Sequence, residues 1–246
     1  MVEVAIDGPV PRLELADWRD QFGILAGITR RGDPRSPFDL GLGGTSSPVG
    51  GVLGRWRAFR SSVPGFSGVV VSHQVHGTVV SWRESLFGMV IAGDGDGHAT
   101  ATPGILLAVT AADCVPVYFA DPVAGQVALV HAGWRGTAAG ILGQALAMLT
   151  AHGSRVENVS IHCGVGICGR CYEVGSEVFA ALGLQAPQAG KGPVDLRREL
   201  SEQARRQGVD KVSTSQFCSA HDPGFFSHRA GGGADGRMVA YLGIMF

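Results

Sequence analysis

The sequence lacks a strong excess of charge, a long hydrophobic run and a basic start. Its 246 residues carry a formal net charge of -1 at pH 7, which gives no electrostatic basis for binding nucleic acid or an anionic membrane surface. Residues 1–8 contain acids where a signal peptide needs basic residues, and no apolar run approaches the ~18 residues that a membrane-spanning helix requires. We therefore expect a cytoplasmic protein whose partner is a small molecule.

The cysteine content argues against a disulfide framework. The chain has five cysteines, an odd number, and Cys163, Cys168 and Cys171 are close together in sequence, which suits a reduced protein better. Cys168 and Cys171 form a single Cys-x-x-Cys pair, whereas a structural zinc ribbon needs a second pair. A redox role for this pair is the alternative.

Apolar residues are plentiful enough for a sizeable core. They make up 45% of the chain, and we expect one domain spanning residues 1–246. Short apolar runs bounded by glycine and proline predict buried strands, most clearly over 104–120 and 126–132. Residues 31–54 are rich in turn formers and predict a long loop over the core. Residues 236–245 predict a final core strand.

Polar residues interrupt two of the apolar runs. Asp113 and Cys114 interrupt the first run, and His131 ends the second. Polar groups in buried strands cost free energy unless something pairs with them. These positions therefore predict the active centre.

A glycine-rich turn follows His131 and predicts an anion site. Gly133 and Gly136 loosen the backbone there, and Thr137 is expected to cap a helix over 138–149. The unpaired N–H groups and dipole of a helix start favour an anion, which Arg135 could reach. Phosphate or a carboxylate is the expected guest.

Two histidines lie between the predicted strands of residues 68–82. An offset of three residues places His73 and His76 on opposite faces, so at most one should enter a common site unless the chain bends. Two imidazoles and a thiolate, from His76, His131 and Cys114, would leave a fourth tetrahedral position open, as in a catalytic zinc site. The alternative is an inert buried cysteine with two structural histidines.

Two further glycine-containing segments predict turns near this centre. Residues 92–98 resemble a calcium loop in composition but lack the closing Glu of an EF-hand, so they predict a turn with one useful carboxylate. Residues 164–169 match Gly-x-Gly-x-x-Gly before a predicted helix over 172–182, but the acidic residue that a dinucleotide site needs ~20 residues later is missing. Residues 195–207 predict an amphipathic surface helix.

Four motifs resemble the YfiH or laccase-domain family, also called polyphenol oxidase or peptidoglycan editing factor. They are Gln-Val-His-Gly at 74–77, Thr-Ala-Ala-Asp-Cys-Val-Pro-Val at 110–117, His-Ala-Gly-Trp-Arg-Gly at 131–136 and Cys-Tyr-Glu-Val-Gly at 171–175. The resemblance extends from about Gly27 to the C-terminus. It implies an α/β fold, a single-domain layered α-β-β-α sandwich of mixed sheets flanked by helices.

The resemblance also implies a function. Family members are assigned phosphorolysis of adenosine, inosine, guanosine and methylthioadenosine, together with adenosine deamination. A zinc ion would be bound by His76, Cys114 and His131, with Cys114, Asp113 and Arg135 as catalytic residues. Asp113 could orient a ligand or relay a proton, and a structural role is the alternative. The expected substrates are a purine nucleoside and phosphate.

The C-terminal region supplies candidate substrate-binding residues. Its aromatic and basic side chains could line a pocket for a flat ring and an anionic group, and we assign substrate binding to Arg55, Phe226 and Arg229. Two segments depart from the family pattern: Asp39 stands where the family usually has Asn, and residues 44–47 replace the usual Gly-Asp-Asp. These departures bear on substrate preference and leave the metal ligands unchanged.

Three other functions stay open at this stage. Two histidines and a cysteine could form a blue copper centre in a phenol oxidase, with Cu²⁺ replacing Zn²⁺. Cys114 could instead be a nucleophile activated by a histidine, hydrolysing an amide in a peptidoglycan precursor. A closed four-ligand metal site would point to a non-enzymatic binding module.

Overall fold

Two β-sheets form the centre of the computed structural model, which describes residues 2–43 and 47–246. In spatial order, the strands of the first sheet are β1 (Glu3–Ile6), β2 (Arg12–Leu15), β3 (Ile24–Thr29), β15 (Met238–Ile244), β8 (Ile105–Ala111), β4 (Gly68–His73) and β6 (Gly88–Asp94). Those of the second sheet are β14 (Lys211–Thr214), β11 (Ser160–Cys163), β9 (Val115–Asp121), β10 (Gln126–Ala132), β7 (Gly97–Thr100) and β5 (Val80–Trp82).

The structure also contains helices and a two-stranded ribbon that belongs to neither large sheet. The helices are α1 (Ala16–Phe22), α2 (Val49–Ser62), α3 (Trp134–Ala138), α4 (Ile141–Ala151), α5 (Ser176–Ala181), α6 (Leu196–Arg206) and α7 (His228–Gly231). The ribbon pairs β12 (Glu173–Gly175) with β13 (Lys191–Pro193). Across residues 2–43 and 47–246, no helix has both the length and the apolar composition needed to cross a bilayer.

The apolar side chains form three buried layers. In β8, Leu107 and Val109 face the second sheet, whereas Leu106 and Ala108 face α2, as the two-residue period of a strand requires. The far side of the second sheet packs against α4, α5 and α6. The order of layers is therefore helix, sheet, sheet, helix, and the predicted α-β-β-α sandwich is confirmed.

Three local predictions are wrong. The loop predicted over 31–54 ends early, because α2 begins at Val49 and buries one apolar face on the first sheet. The helix predicted from Thr137 is two helices, α3 and α4, because Gly140 adopts a left-handed conformation between them. The helix predicted over 172–182 begins only at Ser176, after β12. The substituted segment 44–47 falls largely outside the described residues.

Three connections cross from the first sheet to the second at one end of the sandwich. They join β4 to β5 through residues 74–79, β6 to β7 through residues 95–96, and β8 to β9 through residues 112–114. Since β4, β6 and β8 run parallel, their C-terminal ends lie together. Strand β10 ends at the same place because it is antiparallel to β7 and β9. This end of the sandwich holds the polar side chains predicted from sequence.

Candidate active site

His76, Cys114 and His131 converge where these connections meet. One donor atom from each lies within 4.8 Å of the others, and the two imidazole rings are 4.9 Å apart at 75°. His131 is buried, Cys114 is half-buried and His76 is exposed. His131 follows Val127 and Leu129 on the face of β10 that points between the sheets, so the strand period itself aims its ring into the site.

Asp96 holds both histidines. Its Oδ1 accepts hydrogen bonds from the backbone N–H of His76 at 3.0 Å and lies 2.9 Å from Nδ1 of His131. Its Oδ2 accepts from the N–H groups of Gly77 at 2.7 Å and Val75 at 3.3 Å. Asp96 is fully buried. A proton on His131 Nδ1 satisfies this carboxylate and leaves Nε2 free to act as a ligand.

Mutual electrostatics shift three pKa values in the metal-free site. Burial would raise the pKa of Cys114, but the charge and hydrogen bonds of His131 and His76 lower it to about 6. Burial would lower the pKa of His131, but the Cys114 thiolate and Asp96 raise it to about 9. Burial also opposes ionisation of Asp96, yet hydrogen bonds from His131 and Gly77 lower its pKa overall. The directions of the Cys114 and His131 pKa shifts favour a thiolate beside an imidazolium when no metal ion is bound.

Two glycines allow α3 to approach the ligands closely. A Cβ atom on Gly133 would lie 2.9 Å from Cδ2 of His76 and 3.0 Å from Sγ of Cys114, and one on Gly136 would lie 2.9 Å from the carbonyl oxygen of Gly77. Both distances to Gly133 are shorter than ordinary contacts with a side chain. The glycines that follow β10 are thus required by packing against the ligand loops.

Gln74 fastens the loop of His76 to the end of β8. Its amide nitrogen donates to the carbonyl of Thr110 at 2.8 Å, and its oxygen accepts from the N–H of Thr110 at 2.7 Å and from its hydroxyl at 2.9 Å. Thr110 leads into the connection that carries Cys114. This clamp fixes the separation of two of the three donors.

The carboxylate of Asp113 turns away from the histidines. Asp113 has a φ of 89°, a left-handed conformation that is uncommon for a residue other than glycine. Its Oδ1 accepts from the hydroxyls of Ser219 and Ser227, each at 2.7 Å, and its Oδ2 accepts from the N–H of Arg229 at 2.6 Å. These contacts place Asp113 in the role of anchoring the C-terminal loop.

A cavity of about 510 Å³ opens over the three donors. This volume lies within the ~300–1,000 Å³ usual for small-molecule sites. Arg135 lies 4.2 Å from the ring of Trp134, and Arg229 lies 5.1 Å from the ring of Tyr172. These four side chains line the cavity, and so do those of Gln74, Thr110, Asp113, Ile167, His228 and Arg237. The arrangement suits a flat ring that carries, or is bound together with, an anion.

Two predicted substrate-binding residues lie elsewhere. Arg55 lies on α2, against the outer face of the first sheet, and its Nε donates to the carbonyl of Asp39. Phe226 is 1% exposed and packs between the sheets, with the guanidinium of Arg31 4.5 Å from its ring. Neither side chain lines the cavity, whereas that of Arg229 does, and substrate binding by Arg55 and Phe226 stays a prediction from the sequence.

Other histidines have separate partners. Exposed His73 lies 2.9 Å from Asp94 on the surface, so of the pair 73 and 76 only His76 joins the site. His98 is buried between Ser72 at 3.1 Å and Arg83 at 3.3 Å. Burial and the charge of Arg83 lower the pKa of His98 to about 3, so it stays neutral.

Sequence reasoning missed several residues of this site. A useful carboxylate was expected in the turn over 92–98, but without a partner, and the structure shows Asp96 in contact with both histidine segments. Gln74 and Tyr172 lay inside quoted motifs and were given no role. Arg237 follows a loop whose path only the fold reveals. Its N–H is held by Asp39, the residue that departs from the family pattern.

The donor set fits a divalent metal ion. A half-buried thiolate and two imidazoles are borderline donors typical of zinc and copper, and the Asp96 contact to His131 is the kind of outer partner that orients a metal-ligating histidine. Three protein donors leave one side open toward the cavity. Within the described residues a second group, of three cysteines and one histidine, could also hold a metal ion.

Comparisons with known proteins agree with this fold. The model of a family described as multi-copper polyphenol oxidoreductase laccase matches residues 52–245. A purine nucleoside phosphorylase of Mycobacterium tuberculosis is 38% identical over 212 residues, covering 82% of this chain and 84% of that protein. The crystal structure of YlmD from Geobacillus stearothermophilus has a TM-score of 0.84 at 27% identity and covers 99% of this chain and 100% of its own. The Bacillus licheniformis protein YfiH, at 24% identity and 97% coverage of both chains, has the same TM-score.

Proposed function

Since the chain belongs to the multi-copper polyphenol oxidoreductase laccase family and is similar to proteins named purine nucleoside phosphorylase, we propose that it is a zinc-dependent purine nucleoside phosphorylase with adenosine deaminase activity. The proposed substrates are adenosine, inosine, guanosine and methylthioadenosine, with phosphate as the second substrate. The observation that carries the proposal is a three-donor cluster, open on one side, at the floor of a cavity lined by arginines and aromatic rings.

Different side chains around the cavity would bind the purine and the phosphate. Trp134 and Tyr172 offer ring faces for the purine. Arg135 and Arg229 each lie over one of these rings, where a guanidinium can bind phosphate with paired N–H groups. Phosphorolysis forms a bond from phosphate oxygen to C1′ of the ribose and breaks the bond from C1′ to the base. The arginines would hold phosphate beside the sugar.

Residues behind the cluster would keep its geometry fixed. Asp96 holds the ring of His131 and the loop of His76, while Gln74 fixes the end of β8 before Cys114. A bound zinc ion would supply a Lewis acid for polarising the electrophile and for acidifying water in deamination. Asp113 anchors the loop of Arg229 and would act by positioning it. Cytoplasmic location, expected from the sequence, remains part of this proposal.

The test combines metal analysis with a phosphate-dependence assay. Protein purified without added metal should contain zinc, and should release free base from adenosine or inosine only when phosphate is present. The Cys114→Ser variant should lose both the zinc of this cluster and base release. Zinc-loaded protein that releases no base with phosphate would refute the phosphorylase assignment, and unchanged adenosine in the presence of enzyme would refute the deaminase assignment.

A cysteine hydrolase is the second candidate, and the order of contacts favours it. Cys114 lies beside His131, whose other ring nitrogen contacts Asp96 at 2.9 Å, which is the nucleophile, base and orienting acid of a cysteine hydrolase. An amide in a peptidoglycan precursor would be the substrate. Metal-stripped protein should still hydrolyse the amide, and alkylation of Cys114 should then abolish that activity. This result would support the cysteine hydrolase over the phosphorylase.

A copper phenol oxidase is the third candidate because two histidines and one cysteine are also the ligands of blue copper sites. Such a centre would colour the purified protein. A colourless preparation with stoichiometric zinc would exclude it.

A further inference from the structure

A second group of metal-ligating side chains lies outside the candidate active site. The Cys3His cluster consists of Cys168, Cys171, Cys218 and His221, whose ligand atoms all lie within 4.8 Å of one another. Nδ1 of His221 is 3.8 Å from Sγ of Cys168 and 3.4 Å from Sγ of Cys171. None of the chain's five cysteines forms a disulfide. The two pairs have the spacings Cys-x-x-Cys and Cys-x-x-His, so the second pair that a zinc ribbon needs is present and ends in histidine.

These separations match a tetrahedral zinc ion. With Zn–S bonds of about 2.3 Å and Zn–N bonds of about 2.0 Å, tetrahedral angles place two sulfurs roughly 3.8 Å apart and a sulfur and a nitrogen roughly 3.5 Å apart. The two measured S···N distances, 3.8 and 3.4 Å, lie on either side of that value. Three cysteines and one histidine are also an established ligand set of structural zinc sites.

The surroundings of the cluster suit a closed, anionic metal site. Cys168 and Cys218 are buried, Cys171 is half-buried and His221 is exposed, so an ion could enter from the solvent side. The N–H of Cys168 donates to Sγ of Cys218 at 3.3 Å. The adjoining cavity is lined by two arginines, Arg170 and Arg197, and by two acids, Glu173 and Asp195, and Arg197 forms an ion pair with Asp195.

The cluster joins residues 164–172, which contribute to one wall of the active-site cavity, to residues 215–221, which contact Asp113. Cys168 follows Ile167, whose N–H donates to the carbonyl of Asp113 and whose side chain lines the cavity. Cys171 precedes Tyr172, whose ring also lines it. On the other segment, Cys218 precedes Ser219, whose hydroxyl donates to the Asp113 carboxylate. Three of the four ligands are thus chain neighbours of groups that shape the cavity or hold its anchor.

Other contacts also tie these two segments together, among them the N–H of Cys168, which donates to Sγ of Cys218 at 3.3 Å. Gly166 forms an isolated bridge with Cys218, and its carbonyl accepts from the N–H of Ser219 at 3.1 Å. We propose that the Cys3His cluster binds a structural zinc ion that holds residues 164–172 against residues 215–221 and thereby fixes this wall of the active site. Four protein donors leave no open position, so this zinc takes no part in the reaction.

The test uses the full chain with the active-site cluster disabled. In the Cys114→Ser variant, purified without added metal, we expect one tightly held zinc per chain. Adding Cys171→Ser and His221→Ala removes the two solvent-side donors of the Cys3His cluster, keeps the buried ones, and should abolish that zinc. The matched control adds His73→Ala, which removes an exposed histidine elsewhere, and should keep the zinc.

Cobalt substitution identifies the ligands. Co²⁺ loaded into the Cys114→Ser variant should give tetrahedral bands and a strong thiolate-to-metal absorption, which the added Cys171→Ser and His221→Ala changes remove.

Hydrogen exchange on the Cys114→Ser variant should show zinc-dependent protection confined to residues 164–172 and 215–221. No metal in this variant after zinc loading, or a disulfide between Cys168 and Cys171 in freshly purified protein, would overturn the proposal. Because activity is not measured, failure of the proposed enzymatic function leaves these outcomes unaffected.

Discussion

Replacing Asp96 with asparagine should lower zinc affinity and stability more than the same change at an exposed aspartate, Asp94. The substitution keeps the shape of the side chain and exchanges one acceptor oxygen for an NH₂ group. In the native site each carboxylate oxygen faces two donors: Oδ1 faces the N–H of His76 and Nδ1 of His131, and Oδ2 faces the N–H groups of Val75 and Gly77. An amide can satisfy only one of these pairs.

Either orientation of the amide has a cost. With NH₂ toward residues 75 and 77, two part-buried N–H groups lose their buried acceptor, at about 1–3 kcal/mol each. With NH₂ toward His131, the ring must accept at Nδ1 and carry its proton on Nε2, where it can no longer bind a metal ion. We therefore expect the free energy of unfolding to fall by about 2–6 kcal/mol and zinc affinity to fall about 10–100-fold, as for other outer partners of metal-ligating histidines.

Asp94→Asn is a matched control two residues away. Asp94 and its partner His73 are both about three-quarters exposed, with side-chain exposures of 74% and 75%, and an exposed ion pair contributes roughly 0–1 kcal/mol. Zinc competition against a chromophoric chelator and denaturant unfolding of the metal-free protein would give both quantities. If Asp96→Asn matched Asp94→Asn in zinc affinity and in stability, the reasoning about the buried carboxylate would be wrong.

Four further predictions concern the site and helix α2. Gly133→Ala should lower zinc affinity by at least about tenfold, because its Cβ would lie within about 3 Å of two ligands. Gly54 lies in open space on α2, so Gly54→Ala should raise the free energy of unfolding by about 0.5–1 kcal/mol in denaturant unfolding. In metal-stripped protein, alkylation of Cys114 followed by peptide mass spectrometry should slow below pH 6, because the pKa of its thiol is lowered to about 6 and only the thiolate reacts; a midpoint near 9 would contradict this. Arg135→Met should raise the KM for phosphate with little change in the KM for nucleoside, and an unchanged phosphate KM would remove its assigned role.

The central strands and the donors beside them could be predicted from sequence. The apolar runs that became β8, β9 and β10 are buried on both faces, so they stand out as continuous hydrophobic segments. The polar residues that interrupt them carry a large desolvation cost, and this cost marks Cys114 and His131. The two-residue period of β10 also gives the direction of His131.

Other parts of the fold depend on contacts between segments distant in sequence. Helix α2 contains three glycines among its 14 residues and has no side-chain cap, so local signals favour a loop until Trp56 and Phe59 are buried on the first sheet. Cys218 and His221 lie beyond β14, and they come near Cys168 and Cys171 through the pairing of β11 with β14 and the bridge between Gly166 and Cys218. The assignment of Arg55 to substrate binding had the same weakness. Its charge alone does not tell which face of a sheet its helix covers.

The left-handed conformation of His76 has a physical explanation in Asp96. A φ of 60° costs a residue other than glycine of order 1–3 kcal/mol, and Gly77, the next residue, does not take it. The turn at His76 directs the N–H groups of three consecutive residues, 75–77, at one buried carboxylate, forming a concave anion site of backbone donors. These charge-assisted bonds offset the strain. Since the same carboxylate orients the ring of His131, the fold presets both histidines for a metal ion before any ion binds.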